Sequence, residues 1–234
     1  MRINKKITTT VVSLMLAGGA ISAQQTFNEM TYTKDVSTFK LNAPSKAKSV
    51  KVNIYKEGVG GEVVKTVKMK RTGNDLWTAD IKGDLKGMFY TFQVETKKQK
   101  MNETPGVFAK AVGVNGRRAA IIDMQETNPE GWCCDKRPMT KQPTDLVIYE
   151  MHHRDFSVSP HSGLTHKGKF LALTEPKAVY HLKNLGVNAI HILPSYDYAS
   201  VDESKPDVPQ YNWGYDPPNH NVPEGAYSTN AERP

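Results

Sequence analysis

The run Tyr211-Asn212-Trp213-Gly214-Tyr215-Asp216-Pro217 carries the residue types that hold a sugar. Tyr211, Trp213 and Tyr215 supply flat apolar faces for pyranose rings. Asn212 and Asp216 supply hydrogen bonds to hydroxyls, and Gly214 lets the backbone come close. Pro223-Glu224-Gly225-Ala226-Tyr227-Ser228-Thr229-Asn230 follows. A second group, Glu150, His152, His153 and Asp155, lies at the end of an apolar run. It has the makings of a metal or acid–base cluster, but adjacent histidines on a strand point to opposite faces. The expectation is therefore a buried polar contact from Glu150 or Arg154, with the histidines packed beneath loops. Asp202, Glu203 and Asp207 are expected to be solvated, since their spacing does not favour calcium. No metal site is assigned. The only cysteines, Cys133 and Cys134, are adjacent. They are expected as unpaired loop thiols, with a strained vicinal disulfide as the alternative.

The elements that must position these residues change character along the chain. From about Thr31 to Val94, period-2 alternation (Val50, Val52 and Ile54; Met88, Tyr90, Phe92 and Val94) is broken by turn signals at Gly58, Gly60, Gly61, Gly73, Gly83 and Gly87. That pattern predicts an antiparallel β-sandwich with Trp77 in its core, whereas Trp132 is a possible glycan contact. Residues 101–144 read as a linker ordered by Val112, Val114, Ile121 and Ile122. From Asp145 the pattern is strand, helix, strand. Leu146 to Met151 and Val187 to Leu193 are apolar runs suited to strands buried on both faces. Between them Ala178, Leu182 and Leu185 share a helical face that starts at Pro176 and stops at Gly186. One β-α-β unit requires parallel pairing. The residues after Leu193 lack periodicity and read as a long functional loop.

Residues 1–23 have the layout of a secretory signal. Arg2, Lys5 and Lys6 precede an apolar stretch and small residues, and a cut after Ala23 is expected. Their loss lowers the formal charge from +7 to +4. The remaining basic residues are scattered among acids, which argues against nucleic acid as a partner. The stretch is too short to span a membrane and carries no lipid-anchor cysteine. The expectation is an exported protein, periplasmic or extracellular, without a membrane anchor.

The aromatic run resembles the signature loop of type I pullulanases, starch-debranching glycoside hydrolases of the α-amylase superfamily. Further matches extend the resemblance from about residue 32 onward. Lys110 to Arg118 is similar to the family's linker, and Ile148 to Phe156 to its first barrel strand and the turn after it. Gly168 to Glu175, His181 to Val187 and Ile192-Leu193-Pro194 are similar to the segments that follow. The resemblance implies a multi-domain chain: signal 1–23, an early-set carbohydrate-binding β-sandwich at 24–100, linker 101–144, and the opening of a (β/α)8 TIM barrel at 145–234, truncated after about two strands. It implies that Tyr215 stacks on a sugar at subsite −1 and that Asp216 hydrogen-bonds it. Tyr211, Asn212 and Trp213 would shape the same wall. His220 departs from the aromatic Tyr usual in the family.

The implied activity is retaining hydrolysis of α-1,6-glucosidic linkages in pullulan, amylopectin or glycogen, without an organic cofactor. Calcium is possible in a full-length enzyme. Retaining chemistry needs two carboxylates about 5–5.5 Å apart. The family's motifs for them, on barrel strands four and five, have no match in this sequence. The resemblance therefore implies that the nucleophile and the acid/base lie beyond Pro234. No catalytic residue is assigned, and the chain alone is expected to be inactive. The alternatives are another α-amylase superfamily member, isoamylase-like or branching, and a non-catalytic glucan-binding protein.

Overall fold

The computed structural model describes residues 27–232. The signal expected at 1–23 therefore lies outside the described residues. So does Pro234, beyond which the catalytic pair is expected, and the expectation of a nucleophile and acid/base further along stays untouched by the fold. Two four-stranded sheets form the first part. One contains β1 (Met30–Tyr32), β2 (Val36–Asn42), β5 (Lys70–Arg71) and β6 (Leu76–Lys82), in the order β1-β2-β6-β5. The other contains β3 (Ala47–Tyr55), β4 (Val63–Lys68), β7 (Phe89–Thr96) and β8 (Ala119–Ala120), in the order β4-β3-β7-β8. All these pairings are antiparallel.

Alternation explains how the sheets meet. In β2, Ser37, Phe39 and Leu41 turn inward; in β6, Trp77, Ala79 and Ile81 do so. They pack on Val50, Val52, Ile54, Tyr90 and Phe92 of the other sheet. Edge-on aromatic contacts bridge the layers, with the Phe39 and Tyr90 centroids 5.1 Å apart. Such pairs add about 0.5–1.5 kcal/mol beyond the area they bury.

The second sheet is also covered on its outer face, which simple alternation does not foresee. Tyr55 and Phe89 are buried there against Ala111 and Ala120, and the Arg118 guanidinium lies 3.5 Å above the Tyr55 ring. Val112, Val114 and Ile121 are buried, and Ile122 is partly buried. The linker also contributes β8, which pairs with β7.

The second part is open. β9 (Ile148–Met151) and β10 (Ala189–Ile192) pair in parallel, joined through α1 (His153–Ser157) and α2 (Pro176–Asn184). Helix α2 begins at Pro176 as expected, and Gly186 takes φ +76° just beyond its end. The strands are not buried on both faces. Ile148 is 60% exposed and Ile190 38%. Within this chain, one short helix cannot cover a parallel pair.

The tail is more ordered than its sequence suggests. β11 (Tyr196–Asp197) and β12 (Asn219–Pro223) form an antiparallel bridge that closes the 195–224 loop at its base. The chain is thus mostly β-sheet with few helices, and the described residues contain no closed barrel.

Candidate glucan-binding loop and an acidic cluster

The aromatic loop emerges just beyond β10. Gly214, at φ +85°, seats it there: a Cβ would lie 3.0 Å from the Pro194 carbonyl oxygen and 3.3 Å from the Tyr198 ring. Asn212 braces the turn from within. Its Oδ1 accepts from Gly214 N at 2.7 Å, and its Nδ2 donates to Asp216 Oδ1 at 2.7 Å. Asp216 Oδ2 accepts from the Ser200 hydroxyl. Those hydrogen bonds, Ser200's foremost, hold the Asp216 carboxyl below the usual carboxylate range. It is therefore an ionised acceptor at neutral pH, unsuited to serve as a general acid.

Beneath the loop lies His152. Its Nδ1 accepts from Asp155 N at 3.3 Å as it caps α1, so Nε2 carries the proton and donates to the Asn212 carbonyl at 2.8 Å. The Tyr227 hydroxyl lies 2.9 Å from the same Nε2. The His152 ring is also stacked on Tyr211, with centroids 6.2 Å apart. Arg154 adds a hydrogen bond to the Gln210 carbonyl.

This support leaves Tyr211, Trp213 and Tyr215 open, at 59%, 56% and 64% exposure, with Asn212 and Asp216 half-buried between them. All five residues singled out in the sequence thus share one loop, whose polar members face inward and whose rings face solvent.

The histidines pack beneath loops as expected, but for a different reason. The strand stops at Met151, so His152 and His153 are a cap and a first helical residue rather than strand neighbours. Both rings meet Tyr227. Burial and the adjacent His152 push His153 down to about 4, so it is neutral. Arg154 makes the expected polar contact. Glu150 is instead exposed and pairs with His191 at 3.0 Å. Trp77 is buried and Trp132 exposed. Cys133 and Cys134 are free exposed thiols with sulfurs 3.4 Å apart.

Glu203 overturns its expectation of solvation. It is 9% exposed and lies with Asp197 and Glu224, one carboxylate oxygen from each within 4.8 Å of the others. The separation in sequence hides this; β11 and β12 bring Asp197 and Glu224 together, and Asn115 draws in Glu203. Asn115, in the left-handed region at φ +60°, donates its N–H to Glu203 Oε2 at 2.5 Å and accepts from Glu203 N at 2.8 Å. Burial pushes Glu224 up to about 8 and Asp197 up to about 6. Of the three acids Glu203 lines a cleft of about 1010 Å³, together with Lys56, Phe89, Arg154, Lys169 and Gln210. The aromatic rings do not line that cleft.

Fold and site together define a class: a predominantly β chain with an open β-α-β unit and an aromatic loop beyond its second parallel strand. The known proteins that this chain resembles over most of its length are pullulanases. Pullulanase from Bacillus subtilis (strain 168) is 37% identical over 212 residues, covering 87% of this chain and 28% of the relative. The crystal structure of apo pullulanase from Paenibacillus barengoltzii superposes with a TM-score of 0.85 at 45% identity, covering 89% of this chain and 33% of that one. Pullulanase from Anoxybacillus sp. LM18-11, solved with maltotriose, gives 0.77 at 32% identity, covering 88% and 30%. This chain is a homologue of pullulanases over most of its length, and it spans about a third or less of each of these relatives. No protein-family model matches it.

Proposed function

We propose that this chain is part of a pullulanase-type starch-debranching glycoside hydrolase that cleaves α-1,6-glucosidic linkages with retention. In this reading the two facing sheets are a carbohydrate-binding module, residues 24–100 with the linker 101–144 packed on it. Residues 145–234 open a (β/α)8 barrel, whose nucleophile and acid/base would come from later strands. Active sites of such barrels sit where loops follow the C-terminal ends of strands, and the aromatic loop follows β10 in that way. The signal at 1–23 would export the chain to the periplasm or the exterior.

One observation carries the reading: three aromatic faces stand open on a loop fixed from below by inward polar bonds. Rigid rings lose little entropy on stacking against a sugar. Tyr215 is the stacking platform, Asp216 and Asn212 the polar partners, and Tyr211 and Trp213 the wall. The ligand is an α-glucan such as pullulan, amylopectin or glycogen, as the maltotriose complex of the Anoxybacillus relative supports.

The chain by itself is proposed to bind without hydrolysing. Asp216 has both oxygens engaged, and Asp197, Glu203 and Glu224 are buried. Incubating the purified chain with pullulan tests this; release of reducing sugar would refute the inactivity. Titration with maltotriose, read by tryptophan fluorescence, tests the binding; an unchanged signal at millimolar ligand would refute that part.

A further inference from the structure

Cys133 and Cys134 belong to neither the aromatic loop nor the acidic cluster. They lie in a short turn, Trp132–Cys134, entered from Gly131 at φ +79°. Cys134 N donates to the Gly131 carbonyl at 2.9 Å, and Asp135 N to the Trp132 carbonyl at 3.2 Å. The turn leaves the two sulfurs 3.4 Å apart, close enough for either S–H to donate to the other sulfur. Gly131 to Asp135 are all exposed, so both thiols stand open to solvent. None of these residues belongs to a hydrophobic core cluster.

Exposure and mutual contact set this pair apart from an inert buried cysteine. An ordinary disulfide joins Cα atoms about 4.4–6.8 Å apart, whereas neighbours across a trans peptide stand about 3.8 Å apart. The Cys133–Cys134 peptide is trans. A bond between these sulfurs therefore closes a strained ring, and strained, exposed disulfides are the ones that thiols reopen readily. Sulfurs already in contact favour closing, and ring strain favours opening.

We propose that Cys133 and Cys134 form a reversible redox site whose co-substrate is a small-molecule disulfide. One cysteine, as the thiolate, attacks a sulfur of that disulfide. The disulfide bond breaks, one half leaves as a thiolate and takes up a proton, and a mixed disulfide remains on the chain. The neighbouring cysteine, as the thiolate, then attacks the cysteine sulfur of the mixed disulfide. The Cys133–Cys134 bond forms and the second half leaves as a thiol. The pair is oxidised by two electrons, and the co-substrate is reduced to two thiols. The second attack is intramolecular, so it outruns attack on another disulfide molecule. An excess of thiol drives the same steps backward. Export, as proposed above, would carry the pair to an oxidising compartment. The exchange itself rests on the turn's geometry and stands independently of the glucan reading.

The full chain, reduced and freed of reductant, is mixed with dithiobis(nitrobenzoic acid), and released thionitrobenzoate and intact mass are read together. The wild type should release two thionitrobenzoates per chain. Its mass should fall by two hydrogens with no adduct, and dithiothreitol should restore it. Cys133→Ser and Cys134→Ser should each release one thionitrobenzoate and keep one as an adduct. Oxidised glutathione should give the wild type the same adduct-free mass. The wild-type masses decide the matter by themselves if circular dichroism shows either variant unfolded. A wild type carrying an adduct on each cysteine, disulfide-linked dimers, or a ring that dithiothreitol does not reopen would overturn the proposal.

Discussion

His152 Nε2 sits 2.8 Å from the main-chain carbonyl of Asn212, so a buried imidazole at the end of the first parallel strand holds the backbone of the aromatic loop. The contact joins residues 60 apart in sequence. Nε2 also lies 2.9 Å from the Tyr227 hydroxyl, and the ring supports Tyr211. His152→Ala should leave the Asn212 carbonyl without its donor and the Tyr227 hydroxyl without its imidazole partner. The expected loss is about 1–3 kcal/mol of stability, from unsatisfied buried polar groups. Urea denaturation measures it, and His152→Gln should recover part if the amide reaches the same carbonyl.

Gly214→Ala should strain the loop directly. Its left-handed φ costs an L-residue about 1–2 kcal/mol, and the added Cβ would press on Pro194. The expected outcome is a lowered melting midpoint with weaker maltotriose binding. An unchanged midpoint would show that the loop rests less firmly on the strand end than its geometry implies.

Much of this was legible in the sequence because the governing patterns are local. Alternation around Val50, Val52 and Ile54 and the Pro176–Gly186 punctuation of α2 each depend on neighbours a few residues away. The polar and aromatic members of the 211–216 loop also sort by residue type. The misses are non-local. Glu203 looked like a surface acid, yet Asn115, 88 residues earlier, buries it. The β11–β12 bridge escaped notice because a two-residue strand has no period to read. Expected burial of β9 and β10 on both faces failed because burial depends on what covers a strand, which its own residues cannot supply.

Stability should fall as pH rises toward alkaline values. Glu224 is raised from an unfolded value near 4.5 to about 8, so the folded chain keeps a proton that the unfolded chain has lost. Its contribution is full below 4.5 and disappears as pH passes about 8. Asp197, raised to about 6, acts likewise between its unfolded value of 3.8 and about 6. His153, lowered to about 4, opposes them only between about 4 and 6.5. Above pH 6.5 the decline therefore belongs to Glu224. Melting curves at pH 6.5 and 8.5 measure it in chelator-treated protein, and Glu224→Gln should flatten the slope.

The two parts of the chain should differ in local stability. The facing sheets share a continuous core, whereas Ile148, Val147 and Ile190 lie exposed on the parallel pair. Limited proteolysis should therefore cut within 145–232 before it cuts within 30–121. Earlier cleavage in the sheets would reverse that ranking.

The central claim is that the aromatic loop binds α-glucan, and affinity electrophoresis in pullulan tests it most directly. The wild-type chain should be retarded relative to a gel without polysaccharide, and a Tyr211→Ala, Trp213→Ala, Tyr215→Ala triple variant should migrate freely while retaining its far-ultraviolet dichroism. Equal retardation of the two proteins would assign binding to the facing sheets instead, and free migration of the wild type would contradict glucan binding by this chain.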